Sequence, residues 1–271
     1  MKARLNTWCI LFLSLLLLSD IVRADDIKGI GVPYVQNFPK ATYLSGNQNW
    51  AISKDKHGIM YFGNAQGLLT YDGKYWQQYT MPNHQIVRAV ATGDDGMVYT
   101  GSFGEFGYWS PKNKKLAYTS LTSLIPVSNP IKDEIWKIFT DGKRVIFQSF
   151  STIYIYQDQK ISVVKGPGSL LFLQKVGNRL IIEVTGKGLY ELQGTKLVAL
   201  PNLGTTSPMN IMTILPYKNN QLLIGTSKDG LFIYDGMSFT AFNTPANDFL
   251  KTYQLNNGSK IDNRYYAFGT I

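Results

Sequence analysis

Five times between Trp50 and Gly236 the chain repeats one pattern, and that repetition limits its fold more than any single motif. The first unit runs Trp50-Ala51-Ile52-Ser53, Asp55-Lys56-His57-Gly58, Ile59-Met60-Tyr61-Phe62-Gly63, Gly67-Leu68-Leu69-Thr70-Tyr71-Asp72-Gly73 and Tyr75-Trp76-Gln77-Gln78-Tyr79. Four short apolar-rich segments separated by glycine or Asp-Gly turns predict a four-stranded antiparallel meander. The second unit holds Val87–Val90, Asp95–Gly101 and Glu105–Trp109, and the third holds Ile135–Phe139, Val145–Gln148 and Ile153–Tyr156. The fourth holds Leu170–Leu173, Arg179–Ile182 and Gly188–Leu192, and the fifth Ile211–Ile214, Gln221–Gly225 and Gly230–Gly236. Tyr71, Trp109, Tyr156, Leu192 and Tyr234 fall at equivalent places, about forty residues apart, which is the period of propeller blades.

The fold class that follows is all-β: a β-propeller of four-stranded antiparallel blades, with about five complete blades and the start of a sixth, an incomplete ring. A sandwich or another barrel could also be built from five meanders, but neither demands a fixed aromatic position in each unit. Apolar residues fill the first three strands of each unit, as expected where neighbouring blades cover both faces. The sixth unit is expected to begin around Leu250-Lys251-Thr252-Tyr253 and reaches Tyr265–Ile271, where a third strand would start. Two unpaired edges would be a liability there, so the sequence reads as part of a longer protein. A composition of 44% hydrophobic, 13% aromatic and 17% charged residues with 25 glycines suits turn-rich β structure rather than disorder.

The amino terminus predicts export. Lys2 and Arg4 precede an apolar run from Cys9 to Leu18, and Val22-Arg23-Ala24 fits a signal-peptidase site. That run is about ten residues, half of what a membrane span needs, so residues 1–24 read as a signal peptide and 25–271 as an exported, partial propeller domain. No further apolar stretch predicts a span. Cys9 is the sole cysteine, which leaves no disulfide or thiol chemistry to the remainder. The formal charge of +9 fits a solvated basic surface or attraction to acidic sugars. The lysines are scattered rather than striped, so nucleic acid is not an expected partner.

Catalytic and metal chemistry find few candidates. His57 and His84 are the only histidines, both in predicted turns, and no metal-ligand spacing or thiolate set occurs, so neither metal nor cofactor is expected. Glu105, Glu183 and Asp133-Glu134 are the carboxylates that a polysaccharide hydrolase or lyase could use. Asp72, Asp95 and Asp235 suit turns. The glycine-rich Gly101–Gly107 lies between strands, not before a helix, and so lacks the amides of a phosphate cradle. In a propeller, the loops between second and third strands and the links between blades share one face around the axis. The candidate ligand-binding residues on that face are Asn49, Trp50, Asn64, Gln66, Arg88, Ser102, Glu105, Trp136, Phe150 and Lys228, with aromatic planes to stack on sugar rings and polar tips to orient them. Trp50 and Trp136 could equally pack between blades.

Pro33-Tyr34-Val35-Gln36-Asn37-Phe38-Pro39-Lys40, followed by Gln48–Ile52, resembles the start of the two-component-regulator propeller sensors of Gram-negative bacteria. Gly58–Gly73 resembles their first blade and Glu105-Phe106-Gly107-Tyr108-Trp109 their second. Beyond Trp109 the resemblance rests on repeat spacing. It implies a periplasmic sensor domain followed by a triple-tyrosine immunoglobulin-like domain, one transmembrane helix, and a histidine kinase or LuxR-type helix-turn-helix output. It further implies signal sensing coupled to transcription, often for carbohydrate use, by contact rather than catalysis. The expected partner is an oligosaccharide or other small ligand, and a homodimer is conceivable for the full-length protein. An envelope interaction scaffold is the rival reading. The output parts have no counterpart in these 271 residues, so kinase and DNA-binding activity do not carry over.

Overall fold

A computed structural model describes residues 35–113, 115–126, 130–201, 210–263 and 265–271. The expected signal peptide, residues 1–24, lies outside the described residues. Lys40–Ile271 form one compact unit, which carries the sheets.

Five four-stranded sheets and one two-stranded sheet follow one another along the chain. Blade 1 is β1 (Asn49–Lys54), β2 (Met60–Asn64), β3 (Gly67–Tyr71) and β4 (Trp76–Tyr79). Blade 2 is β5 (Ala89–Thr92), β6 (Val98–Ser102), β7 (Glu105–Lys112) and β8 (Lys115–Ser120). Blade 3 is β9 (Lys137–Asp141), β10 (Arg144–Gln148), β11 (Thr152–Gln157) and β12 (Lys160–Lys165). Blade 4 is β13 (Gln174–Val176), β14 (Arg179–Val184), β15 (Gly188–Gln193) and β16 (Lys196–Ala199). Blade 5 is β17 (Ile211–Pro216), β18 (Leu222–Thr226), β19 (Leu231–Tyr234) and β20 (Phe239–Ala241). The sixth sheet pairs β21 (Leu255–Lys260) with β22 (Tyr266–Thr270). The architecture is thus an open β-propeller of five full blades and the first hairpin of a sixth.

Turn chemistry sets the hairpins. Gly67 opens β3 with φ +119, a value side-chain-bearing residues rarely adopt, and a Cβ there would collide with the carbonyl of Tyr79. Asp72 Oδ1 accepts the N–H groups of Lys74 (2.8 Å) and Tyr75 (2.7 Å), and Asp235 Oδ1 accepts those of Met237 (2.8 Å) and Ser238 (2.7 Å). These N–H donors stabilise the ionised forms and hold both carboxyls below the usual range. Between first and second strands, Asp55 Oδ2 accepts from Tyr61 Oη (3.1 Å) and Asp95 Oδ2 from Tyr99 Oη (2.6 Å), the same fastening in consecutive blades.

The core is divided into five layers, each lying between two consecutive sheets. Tyr61 and Leu68 of blade 1 meet Val90, Val98 and Trp109 of blade 2. Phe106 stacks on Phe147 across the next junction at 4.3 Å. Ile153 and Ile155 meet Leu180 and Ile182, and Ile181 and Leu189 meet Ile214 and Ile224. Leu223 and Leu231 cover Leu255 of the sixth sheet. This arrangement explains the near-continuous apolar strands, since both faces are buried.

Each junction has a socket at the end of the second strand. A Cβ on Gly63 would lie 2.8 Å from Val87 O and 3.1 Å from its Cγ1, and one on Gly101 would lie 2.5 Å from Ile135 Cγ2. On Gly225 it would meet Leu255 Cδ1 at 3.2 Å. The apolar residue leading into the next blade fills the space that a side chain would take. Blades 3 and 4 replace the glycine with a polar clamp. Gln148 Nε2 donates to Leu171 O (2.9 Å) while its Oε1 accepts from Leu173 N–H (3.3 Å). Glu183 Oε1 accepts from Asn210 N–H (3.1 Å) and Oε2 from Ile211 N–H (2.5 Å).

Two expected strand positions shift. Leu250–Tyr253 do not open the sixth sheet: Asn247–Thr252 form a short helix, α2, after the four-residue helix α1 (Lys40–Tyr43), and the sheet begins at Leu255. Leu250 buries its side chain from that helix, so an apolar residue expected on a strand serves the same core layer by another route. Leu170–Leu173 run ahead of β13 rather than within it, because Phe150 O, Glu183 O and Gln148 Oε1 bind the backbone N–H groups of Leu170, Leu171 and Leu173.

Candidate functional site

In blades 1, 2, 3 and 5 and in the sixth sheet, the first strand begins with a two-for-one mismatch against the second. In blades 1 and 5 and the sixth sheet the register shifts between Asn49 and Ala51, Ile211 and Thr213, and Leu255 and Asn257. The skipped residues are Trp50, Met212 and Asn256. In blade 2, Ala89 is paired with Gly101, yet Arg88 N–H also donates to Gly101 O (2.8 Å). In blade 3, Lys137 is paired with Gln148, yet Trp136 N–H donates to Gln148 O (2.8 Å). A bulge of this kind re-aims the extra residue. The outcome is a single cavity of about 280 Å³ lined by Trp50, Arg88, Trp136, Lys137, Phe172, Met212, Asn256 and Asn257, with a contribution from every repeat.

Aromatic rings and two cations dominate this axial cavity. The Arg88 guanidinium lies 3.8 Å from the Trp50 ring centre and 5.4 Å from that of Trp136. Trp50 and Trp136 meet edge to face at 6.4 Å. Behind them Phe150 stacks on Trp136 at 5.2 Å, and Phe172 stands edge-on to both, at 6.4 Å from Trp136 and 5.6 Å from Phe150. Glu134 Oε1 accepts from Arg88 Nε at 2.6 Å and fixes the guanidinium plane. Nη1 of Arg88 is buried with no hydrogen-bond partner among the described residues. Lys137 Nζ sits 5.4 Å from the Phe172 ring centre, and burial holds its ammonium below the usual lysine range.

The sequence-derived candidates separate into two groups. Trp50, Arg88 and Trp136 line the cavity, and Phe150 buttresses Trp136. The others lie elsewhere. Asn64 is fully buried, donating to Gly46 O and Asn49 Oδ1 (both 2.8 Å) and accepting from Ser45 Oγ (2.7 Å), Gly46 N–H (3.0 Å) and Gln66 N–H (2.9 Å). It fastens the chain ahead of blade 1, with Asn49 and Gln66 as its partners. Ser102 is fully buried in β6, its hydroxyl unpartnered among the described residues. Glu105 Oε1 accepts from Tyr118 Oη (2.9 Å) and Ser120 Oγ (2.7 Å) within blade 2. Lys228 is exposed in the β18–β19 loop.

Lys137, Phe172, Met212, Asn256 and Asn257 are cavity residues that sequence reasoning did not single out. A signal for some of them exists in the repeat. Val87-Arg88, Ile135-Trp136, Ile211-Met212 and Leu255-Asn256 share one position, an apolar residue followed by one that lines the cavity; in blade 4 that position is Leu170-Leu171, and the lining residue Phe172 comes one place later.

Larger hollows open at the other ends of the strands. One of about 620 Å³ lies between the turns of blades 1 and 2, and one of about 500 Å³ between blades 2 and 3. Two carboxylates of the former, Asp55 and Asp72, are already engaged by turn N–H groups. Size favours these hollows, whereas convergence of aromatic and cationic side chains favours the axial cavity.

No family model matches the sequence, and no curated protein matches it. Solved structures do. Virginiamycin B lyase from Staphylococcus aureus is similar at 14% identity and a TM-score of 0.62, over 84% of this chain and 86% of that one. YCF48 bound to D1 peptide is similar at 11% identity and a TM-score of 0.62, over 83% and 76%. The extracellular domain of BT4673 from B. thetaiotaomicron matches at 15% identity and a TM-score of 0.48, over 83% of this chain and 37% of that one. Identities this low carry the fold and nothing finer: the chain is built as a β-propeller.

Proposed function

We propose that this chain is the ligand-sensing domain of an exported signal-transducing regulator or sensor kinase, and that it holds an oligosaccharide in the axial cavity without transforming it. The observation that carries the reading is the convergence of residues from all six repeats on one aromatic-lined hollow. Trp50 is 41% exposed there, which leaves a flat indole face for the C–H face of a sugar ring. The amides of Asn256 and Asn257 supply donors and acceptors for hydroxyls. The resemblance of Gly58–Gly73 to two-component-regulator propellers supports a sensing role, periplasmic export through residues 1–24, and control of transcription by a separate output module.

Three of the carboxylates that a hydrolase or lyase could use have structural partners, Glu134 among them through Arg88. Glu183 is 2% exposed and clamps the backbone of blade 5, and Glu105 is held by two hydroxyls. Thermal-shift screening of the protein against plant and host glycan fragments tests the proposal. A glycan at a hundredfold excess over its Kd should raise Tm by about 5 °C or more. If no glycan shifts Tm while an envelope protein or peptide does, the chain is an interaction scaffold instead.

A further inference from the structure

We infer that the axial cavity selects an acidic sugar, one bearing a carboxylate or sulfate, through Arg88 and Lys137, with Glu134 as the positioning residue. The inference rests on the sensing role proposed above and narrows its ligand class.

The charges of the cavity are unbalanced. Its lining includes two cations and no carboxylate. Glu134 lies outside the lining and reaches Arg88 from the Nε side only. Of the five N–H donors of a guanidinium, one is thereby used, and Nη1 is buried and unpartnered among the described residues. Lys137 makes no ion pair among the described residues, although its neighbour is the face of Phe172. Keeping a desolvated ammonium beside a half-satisfied guanidinium costs folding free energy. An anion between them would satisfy both.

Geometry narrows the choice. Glu134 at 2.6 Å and the Trp50 ring at 3.8 Å hold the guanidinium by one edge and one face. The guanidinium keeps N–H donors beyond the one given to Glu134, and a charge-assisted hydrogen bond from them to an oxyanion is stronger than one to a neutral hydroxyl. A neutral sugar would leave Lys137 without a counter-charge and Arg88 with Glu134 alone.

Isothermal titration of the purified protein with trigalacturonate, a sulfated chondroitin disaccharide and the neutral maltotriose tests this. At least one acidic probe should bind, and maltotriose should bind it roughly ten- to a hundredfold more weakly or not at all. Lys137→Met should lose most of the acidic affinity while raising Tm of the free protein, a gain that misfolding could not produce. Glu134→Gln should weaken acidic binding through loss of guanidinium orientation, and Arg88→Lys should weaken it although the charge is kept. Equal affinity for maltotriose, or an unchanged acidic affinity in Lys137→Met and Arg88→Lys, would overturn the acidic specificity and leave the sensing role standing. Binding by none of the three probes, with a Tm response to a protein partner, would overturn both.

Discussion

Gly101→Val should cost about 3 kcal/mol or more and shift Tm downward by roughly 6–12 °C, whereas Gly269→Val should be almost silent. The two glycines hold the same place at the end of the second strand, and neither has a positive φ. They differ in what waits beyond. A Cβ at Gly101 would lie 2.5 Å from Ile135 Cγ2 and 2.6 Å from Ile135 Cβ, and Ile135 is fully buried with no room to retreat. At Gly269 nothing lies within 4 Å of the new atom. Chemical denaturation of the pair compares one substitution at two equivalent positions. Equal losses would mean that glycine serves β-strand conformation here rather than blade contact.

Glu183→Ala should cost about 3 kcal/mol, because the N–H groups of Asn210 and Ile211 would be left in the blade 4–5 junction without an acceptor. The carboxyl also gives this junction a distinct pH response. Burial pushes it above the ordinary glutamate range, and the two N–H donors offset only part of that rise. Between the unfolded and the raised folded value, the folded protein keeps a proton that the unfolded chain has released. The contribution is therefore complete below the unfolded pKa and lost as pH rises through the folded one. Glu183→Gln removes the titration, so the stability difference between wild type and Glu183→Gln should change in the wild type's disfavour across that window. A difference independent of pH would show that the carboxyl titrates normally.

Much of the fold was legible because its determinants repeat. Tyr71, Trp109, Tyr156, Leu192 and Tyr234 mark one position, and four of them pair across the sheet with Met60, Val98, Val145 and Leu222. Asp72 and Asp235 close equivalent turns, as their types suggest. The sixth sheet was misplaced by about five residues because Asn256-Asn257-Gly258-Ser259 has little β propensity and Leu250 has the apolar character of a strand. Tertiary context overrode both tendencies.

The site was less legible. A bulge leaves no composition mark, so Met212 reads as an ordinary strand residue until the register shift places it on the cavity. Trp50, Arg88 and Trp136 drew notice by their chemistry alone. Asn64 and Ser102 drew it by sitting in the right loops, but one is consumed by five hydrogen bonds and both are buried. Glu183 looked like a candidate acid because sequence does not reveal that a carboxylate can stand in for the glycine socket of other blades.

Bulged strand openings of five sheets, joined by Phe172 ahead of β13, line one hollow. A crystal structure of the protein soaked with trigalacturonate tests binding there most directly. The account predicts sugar density stacked on Trp50, with a carboxylate within about 3 Å of the terminal nitrogens of Arg88 and of Lys137 Nζ. Sugar bound instead in the hollow between the turns of blades 1 and 2, with the axial cavity empty, would contradict it.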